Sequence, residues 1–353
     1  MAGKILSRRD FLKLGGASLL GLLHPLSGWM QALARPASGF TDLNPDQQGR
    51  VVEGNITVYD RPSFSGKEVK MYWRDAVLPI TDVTVGDENP PYNRVWYRLG
   101  EDGYAHSGSI QPVRTSLNLP VADLSPDGTW AEVTVPFTDC YWGLGNREPF
   151  AYRFYYGTTH WVNRLLQDVY GDPWYRVFDD KFKFQYYVPA PHLRILPLEE
   201  LGLSSADVPQ AEKRIEVRLA EQVLIAYERE SPIFMARTAT GAKFRDGNFT
   251  TPIGRHFTFS KRPGRHMAAG DLASNGYDLP GVPWICYITE NGLAIHGTYW
   301  HNDFGKVRSH GCVNLTPQAA KWVYRWTQPV VPPHEQSVYE TYGTVVDVIG
   351  EPE

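Results

Sequence analysis

One five-residue pattern occurs twice in this chain. Val95-Trp96-Tyr97-Arg98-Leu99 returns as Pro173-Trp174-Tyr175-Arg176-Val177. Each copy is followed by a closing segment, Gly103-Tyr104-Ala105-His106-Ser107 with Ile110-Gln111-Pro112 in the first and Tyr187 to Arg194 in the second. A repeat constrains architecture more than any single motif, because each copy must bury the same kind of face. Around the first copy, Ile56-Thr57-Val58-Tyr59 alternates, Arg61-Pro62-Ser63 turns and Ala76-Val77-Leu78-Pro79-Ile80 resumes, which reads as short strands parted by tight turns. The 20 Tyr and 11 Trp, many in short segments between Pro and Gly, suit thin β-cores with stacked rings. The expectation is a small β-barrel over residues 46–115 and a second, diverged one over 125–198, with a longer insertion from about Gly143 to Leu166.

The order of these elements resembles that of bacterial SH3-like domains, and the resemblance implies modules that bind the cell wall. His106 and His192 read as loop residues. Residues 1–34 read as an export signal: Lys4, Arg8 and Arg9 precede an apolar stretch from Leu14 to Leu23, and Ala32-Leu33-Ala34 supplies a small-x-small cleavage site. Ser7-Arg8-Arg9-Asp10-Phe11-Leu12-Lys13 fills the twin-arginine pattern at every position. The apolar stretch is shorter than the ~20 residues that span a bilayer, so the mature chain is expected to carry no transmembrane segment and to work in the periplasm or cell wall. The net charge of -4 argues against a nucleic-acid partner. Three cysteines, Cys140, Cys286 and Cys312, are too few for a disulfide scaffold, although a Cys140–Cys286 bridge stays open.

A Gly-, Ser- and Pro-containing linker over 199–211 leads into a third unit over 212–350. Ile215 to Leu219 and Gln222 to Glu228 alternate as a hairpin, and Asn291-Gly292 joins Trp284-Ile285-Cys286-Tyr287-Ile288 to Leu293-Ala294-Ile295-His296. A two-residue turn would set Tyr287 across from His296 and turn Cys286 to the opposite face. Thr316-Pro317 opens a short helix with Ala319, Val323 and Trp326 at helical spacing, and Thr344 to Ile349 closes the unit as a strand.

The chemistry gathers in Ile295-His296-Gly297-Thr298-Tyr299-Trp300 and Ser309-His310-Gly311-Cys312-Val313-Asn314. Cys312 is the candidate nucleophile, since a thiolate attacks acyl carbon well, and His296 is the candidate base. Gly311 permits close backbone approach, and successive N–H groups of the loop offer an oxyanion hole. These two segments, with Thr251-Pro252-Ile253-Gly254 before Phe257-Thr258-Phe259, resemble the L,D-transpeptidases of the YkuD type.

By that resemblance Cys312 takes the acyl group and His296 acts as general base. The carbonyl of Gly297 orients the imidazole, and Ser309, His310, Gly311 and Asn314 support the site. The implied fold is mainly β: two SH3-like barrels, then a β-rich catalytic domain with one short helix behind the nucleophile loop. The implied reaction is cross-linking of peptidoglycan stem peptides without metal or cofactor. The same site using water as acceptor would be an L,D-carboxypeptidase or endopeptidase, and a non-catalytic wall-binding protein is the alternative of another class. Papain-like wall peptidases place Cys before His, and sortases carry a Thr-Leu-x-Thr-Cys strand, so neither fits. Pairing with His296 is expected to lower the Cys312 pKa below the free-cysteine value of ~8.5. A Gly-rich loop from Lys261 to Pro280 is expected over the cleft, where Lys261, Arg262, Arg265 and His266 either hold a substrate carboxylate or form a solvated basic turn.

Overall fold

The structure, a computed structural model, describes residues 47–245, 247–272 and 276–351; the export signal read at 1–34 lies outside them. In the first module the strands are β1 (Gln48–Val51), β2 (Asn55–Tyr59), β3 (Glu68–Trp73), β4 (Val77–Val85), β5 (Val95–Leu99), β6 (Gly103–His106) and β7 (Ile110–Val113). They pair in the order β3-β2-β6-β5-β4-β1-β7. The second module repeats that plan with β8 (Thr129–Val133), β9 (Phe137–Tyr141), β10 (Phe150–Tyr155), β11 (Thr159–Gln167), β12 (Pro173–Phe178), β13 (Gln185–Pro189) and β14 (Leu193–Ile195), ordered β10-β9-β13-β12-β11-β8-β14. The Trp-Tyr-Arg strand is the fifth of each set. In each, the sixth and seventh strands are joined by a 3-10 turn, Ser107–Ser109 in the first and Ala190–His192 in the second.

Two features differ from the sequence expectation. Each ladder ends on its third and seventh strands, which do not pair with one another, so the modules are open seven-stranded sheets and not closed barrels. The stretch read as an insertion from Gly143 to Leu166 is ordinary repeat structure, since it supplies β10 and most of β11. Polar edges and a bulge between Val162 and Arg164 hide its alternation. The two histidines serve these turns: His106 accepts from Gly108 N at 3.3 Å, and His192 Nδ1 lies 2.7 Å from Thr138 Oγ1.

The C-terminal part holds two five-stranded sheets. One is built from β15 (Lys213–Arg218), β16 (Val223–Glu228), β17 (Ser231–Arg237), β20 (Gly254–Phe257) and β26 (Val345–Ile349), and a small ladder joins β18 (Lys243–Phe244) to β19 (Gly247–Asn248). The other is ordered β24-β23-β22-β21-β25, from β21 (Ser260–Ala269), β22 (Tyr277–Tyr287), β23 (Ala294–Gly297), β24 (Val313–Leu315) and β25 (Val338–Tyr339). Of the two described α-helices, α1 (Leu198–Leu201) is a single turn and α2 (Pro317–Trp326) is the longer. Thr316 caps α2 by accepting from Ala319 N at 3.2 Å, and Ala320, Val323 and Trp326 face the core. At its other end Lys261 Nζ donates to Tyr324 O and Thr327 O, placing a buried cation where the helix dipole is negative.

The modules are not beads on a string. Trp130 and Trp161 of the second module, with Leu196 and Leu201 of the segment after it, share one buried cluster with Ile215, Trp284, Ile295, Val313 and Trp326 of the C-terminal sheets. The expected linker is fastened too: Ser204 N donates to Arg325 O, and Lys213 Nζ donates to Ser205 O. Arg50, 2% exposed, joins all three parts. It donates to Gln111 Oε1 and pairs with Asp75 at 2.9 Å within the first module, lies over the Tyr155 ring of the second, and donates at 2.6 Å to Tyr299 O, three residues beyond His296. Asp75 also takes Arg153 of the second module at 3.0 Å.

Candidate active site

β23 and β24 run parallel, with Ile295 opposite Val313, His296 opposite Asn314 and Gly297 opposite Leu315. Alternation along the strands sends Ile295, Val313 and Leu315 into the main core and puts His296 and Asn314 on the other face. Cys312 precedes Asn314 by two residues and shares that face, packed against the small cluster of Val282, Ile285, Ala294 and Tyr299. The hairpin leading to β23 has a register other than the one a two-residue turn predicts. Tyr287 pairs with Ala294 and Cys286 with Ile295, because the Thr289 hydroxyl and the Leu293 carbonyl close a wider loop. The shift is by two residues, so Tyr287 still shares the face of His296 while Cys286 points into the core. All three cysteines are free.

His296 is held in one tautomer by its own neighbour. Its Nδ1 donates to Gly297 O at 2.9 Å, which leaves the lone pair on Nε2. Gly297 has no room for a side chain, since a Cβ would sit 2.8 Å from Pro283 Cγ and 3.0 Å from Pro317 Cα. Gly311 has φ of +109°, and a Cβ there would meet Leu293 Cδ2 at 2.6 Å.

The loop that carries Cys312 is gripped from its outer side by residues that the sequence motif does not contain. Ala239 exchanges both backbone hydrogen bonds with Asn314, Thr238 Oγ1 donates to Asn314 O at 2.8 Å, and Ser309 N donates to Thr240 O at 2.9 Å. The Gln222 side chain braces that segment through Thr240 N and Thr240 Oγ1. Thr251 of the Thr-Pro-x-Gly element donates to Gly311 O at 2.8 Å and accepts from Gly241 N.

Two of the loop amides expected to form an oxyanion hole are committed elsewhere. Ser309 N goes to Thr240, and Gly311 N donates to the Ser309 hydroxyl, which itself donates to Cys312 O. Ser309 is thus a brace for the turn. His310 is half-buried among the rings of Phe244, Phe249 and Tyr277 at 4.8 to 6.2 Å. Asn314 Nδ2 lies 3.1 Å from His301 Nε2.

The electrostatics run against the expected ion pair. Burial pushes the Cys312 thiol up to about 11, with a backbone hydrogen bond at Ala294 working the other way. Burial likewise pushes His296 down to about 4, which the Gly297 carbonyl only partly offsets. Both shifts favour the neutral thiol and the neutral imidazole, although the Cys312 side chain is only part-buried.

The basic segment expected to form a loop over the cleft is mostly strand. Lys261 caps α2, Arg262 pairs with Asp180 of the second module at 2.6 Å, and His266 bridges Asp179 and Asp278. Burial weighs against a charge on His266, but the two carboxylates hold its pKa above the ordinary value. Only Arg265 is left at the cleft, where it donates to Tyr287 OH at 3.1 Å.

Residues 212–348, which contain α2, every residue named in the two motifs and both five-stranded sheets but for the last residue of β26, match the YkuD family, described as the L,D-transpeptidase catalytic domain. The C-terminal part of the chain therefore carries an L,D-transpeptidase catalytic domain of the YkuD type. No curated protein matches the chain. Solved structures similar to it include the Enterococcus faecium L,D-transpeptidase, at 20% identity over 39% of this chain and 50% of that one with a TM-score of 0.31. Others are an L,D-transpeptidase of Stackebrandtia nassauensis, at 23% over 44% and 64% with a TM-score of 0.29, and L,D-transpeptidase 3 of Mycobacterium tuberculosis, at 17% over 48% and 75% with a TM-score of 0.31. The chain spans about half the length of the first of these. Among the described residues no helix is long and apolar enough to cross a membrane.

Proposed function

We propose that this chain is an exported L,D-transpeptidase that cross-links peptidoglycan stem peptides through a thioester on Cys312. The observation that carries the reading is the tautomer of His296: with Nδ1–H held by Gly297 O, Nε2 is the free acceptor on the face that holds Cys312. As Sγ attacks the carbonyl carbon after the L-centre of the third stem residue, its proton passes to His296 Nε2. The C–N bond to D-alanine then breaks, and the imidazolium returns that proton to the leaving amine. An amine of a neighbouring stem next attacks the thioester, gives a proton to Nε2, and the thiol departs as it is reprotonated. Because the resting pair is neutral, proton transfer accompanies attack and does not precede it.

The modules, read as SH3-like wall-binding units over 46–115 and 125–198, would hold this domain at the sacculus. The twin-arginine pattern would export the chain folded. Replacing Arg8 and Arg9 by Lys should leave precursor in the cytoplasm, and undiminished export would exclude that route. The function itself is tested by incubating purified protein with sacculi and reading the muropeptides by mass spectrometry. New cross-links between third residues are expected. Shortened stems alone would mean that water is the acceptor, and unchanged muropeptides would leave a binding protein.

A further inference from the structure

The segment between the base and the nucleophile carries a second buried histidine that the two motifs leave unassigned. His301 is 1% exposed and lies against Asn314, the residue directly opposite His296. Its Nδ1 accepts a hydrogen bond from Asp303 N at 3.3 Å, so Nδ1 carries the lone pair. Burial, with Arg308, His296 and Lys306 nearby, holds its pKa well below the ordinary value and keeps the ring neutral. The one ring proton of a neutral His301 is therefore on Nε2, which makes Nε2 a donor.

The atom facing it at 3.1 Å is Asn314 Nδ2, another donor, while Asn314 Oδ1 is buried without a partner. Two donors cannot share a hydrogen bond, and the oxygen and nitrogen of an amide occupy nearly identical volumes. A half-turn of the amide removes both faults at once. Oδ1 then accepts from His301 Nε2–H, and the NH2 group takes the position of the orphaned oxygen. The Asn314 backbone cannot adjust instead, since its N–H and carbonyl are both tied to Ala239, with Thr238 Oγ1 also on the carbonyl.

We propose that His301 is a positioning residue that fixes the Asn314 amide with its oxygen on His301 Nε2–H and its NH2 in the place of the orphaned oxygen, from which it donates to the oxyanion formed during acyl transfer. The donor matters because two of the four amides of the nucleophile loop are already spent on Thr240 and Ser309. The role of the amide rests on the transpeptidase reading, whereas the tautomer and the amide orientation do not.

The first arm of the test is spectroscopic. Long-range proton–nitrogen correlation on the 15N-labelled full chain should show His301 protonated on Nε2 and bare on Nδ1; the opposite tautomer would overturn the proposal. The second arm compares acylation of Cys312 by meropenem with its alkylation by iodoacetamide, which forms no oxyanion. His301→Leu should lower the limiting acylation rate by about tenfold to a hundredfold, with the half-saturating concentration little changed. His301→Gln, which keeps a terminal N–H donor, should restore most of that loss. Asn314→Asp, which keeps the acceptor for His301 and removes the donor, should match His301→Leu. Alkylation should proceed at the wild-type rate in both His301 variants. Wild-type acylation by His301→Leu, or an equal loss of alkylation, would refute the positioning role. A wild type that alkylates but never acylates would refute the transpeptidase reading, and the tautomer then decides the His301 assignment alone.

Discussion

A fragment that begins at Gln210 should fail to fold into a reactive enzyme, although it contains every residue of the catalytic motifs. Its core would lack Trp130, Trp161, Leu196 and Leu201, which share a cluster with Trp284, Val313 and Trp326. Truncating one buried Trp to Ala typically costs ~3–5 kcal/mol, and a domain has ~5–15 kcal/mol in total, so losing two such rings with two leucines removes most of the margin. Polar losses act in the same direction. His266 would keep Asp278 but lose Asp179, Arg262 would lose Asp180, and Pro263 O would lose the Thr159 hydroxyl that donates to it at 2.6 Å. The segment after His296 would lose the bonds from Arg50 to Tyr299 O and from Asn302 to Ser107 O. Near-ultraviolet circular dichroism and thermal melting of the fragment against the chain from Gln47 measure this. A cooperative melt with full thiol reactivity in the fragment would show that the C-terminal sheets fold alone and that the shared cluster is dispensable.

The linker read at 199–211 suggests a separate third unit, whereas the structure joins that unit to the second module through one shared cluster, and the reason is physical. Trp96 and Trp174 mark the same strand in two copies of one topology because a repeat is written in local pattern. The candidate site is readable for a similar reason, since His296, Gly297, Gly311 and Cys312 lie in two short segments of the sequence, although the contacts that hold those segments come from Pro283, Leu293, Thr251 and Pro317. What surrounds them is set by contacts between residues far apart in the chain. Arg50 reads as an ordinary strand arginine until Tyr299 O, Asp75 and the Tyr155 ring are brought around it. Gln222 and Thr240, which brace the loop, carry no mark beyond polar residues near strand ends. Lys261, Arg262 and His266 looked like a basic loop because the carboxylates and helix carbonyls that hold them come from elsewhere. The hairpin register was missed for a local reason, since Asn291-Gly292 is a tight-turn signal and the Thr289 hydroxyl, one turn earlier, widened the loop.

The thiol gives the second large effect. A carbapenem, whose strained carbonyl imitates the scissile amide, should add once to the wild type by intact mass and never to Cys312→Ala. His296→Ala should react about a hundred to ten thousand times more slowly, the usual loss on removing a general base. A label on Cys286 or Cys140 would sink the assignment, and burial pushes both of those thiols upward from the ordinary value. The pH dependence separates a neutral pair from an ion pair. With His296 held down at about 4 and Cys312 pushed up to about 11, the acylation rate should be level from roughly pH 5 to pH 9. It should fall as pH drops through about 4, where Nε2 takes a proton and can no longer accept one from the thiol. A limb centred near the ordinary imidazole value of ~6.5 would mean that His296 is solvated, whereas an ion pair at rest would show an acid limb at a lowered thiol value and an alkaline limb where the imidazolium loses its proton. Stability moves the same way at the acid end. The folded value of His296 lies below the unfolded one, so the stability tied to its neutral form is complete above ~6.5 and is lost as pH falls through about 4. Acid rates must therefore be taken in brief exposures and compared with samples returned to pH 7. A loss that recovers within the mixing time is protonation of the base, and a loss that recovers slowly or not at all is unfolding.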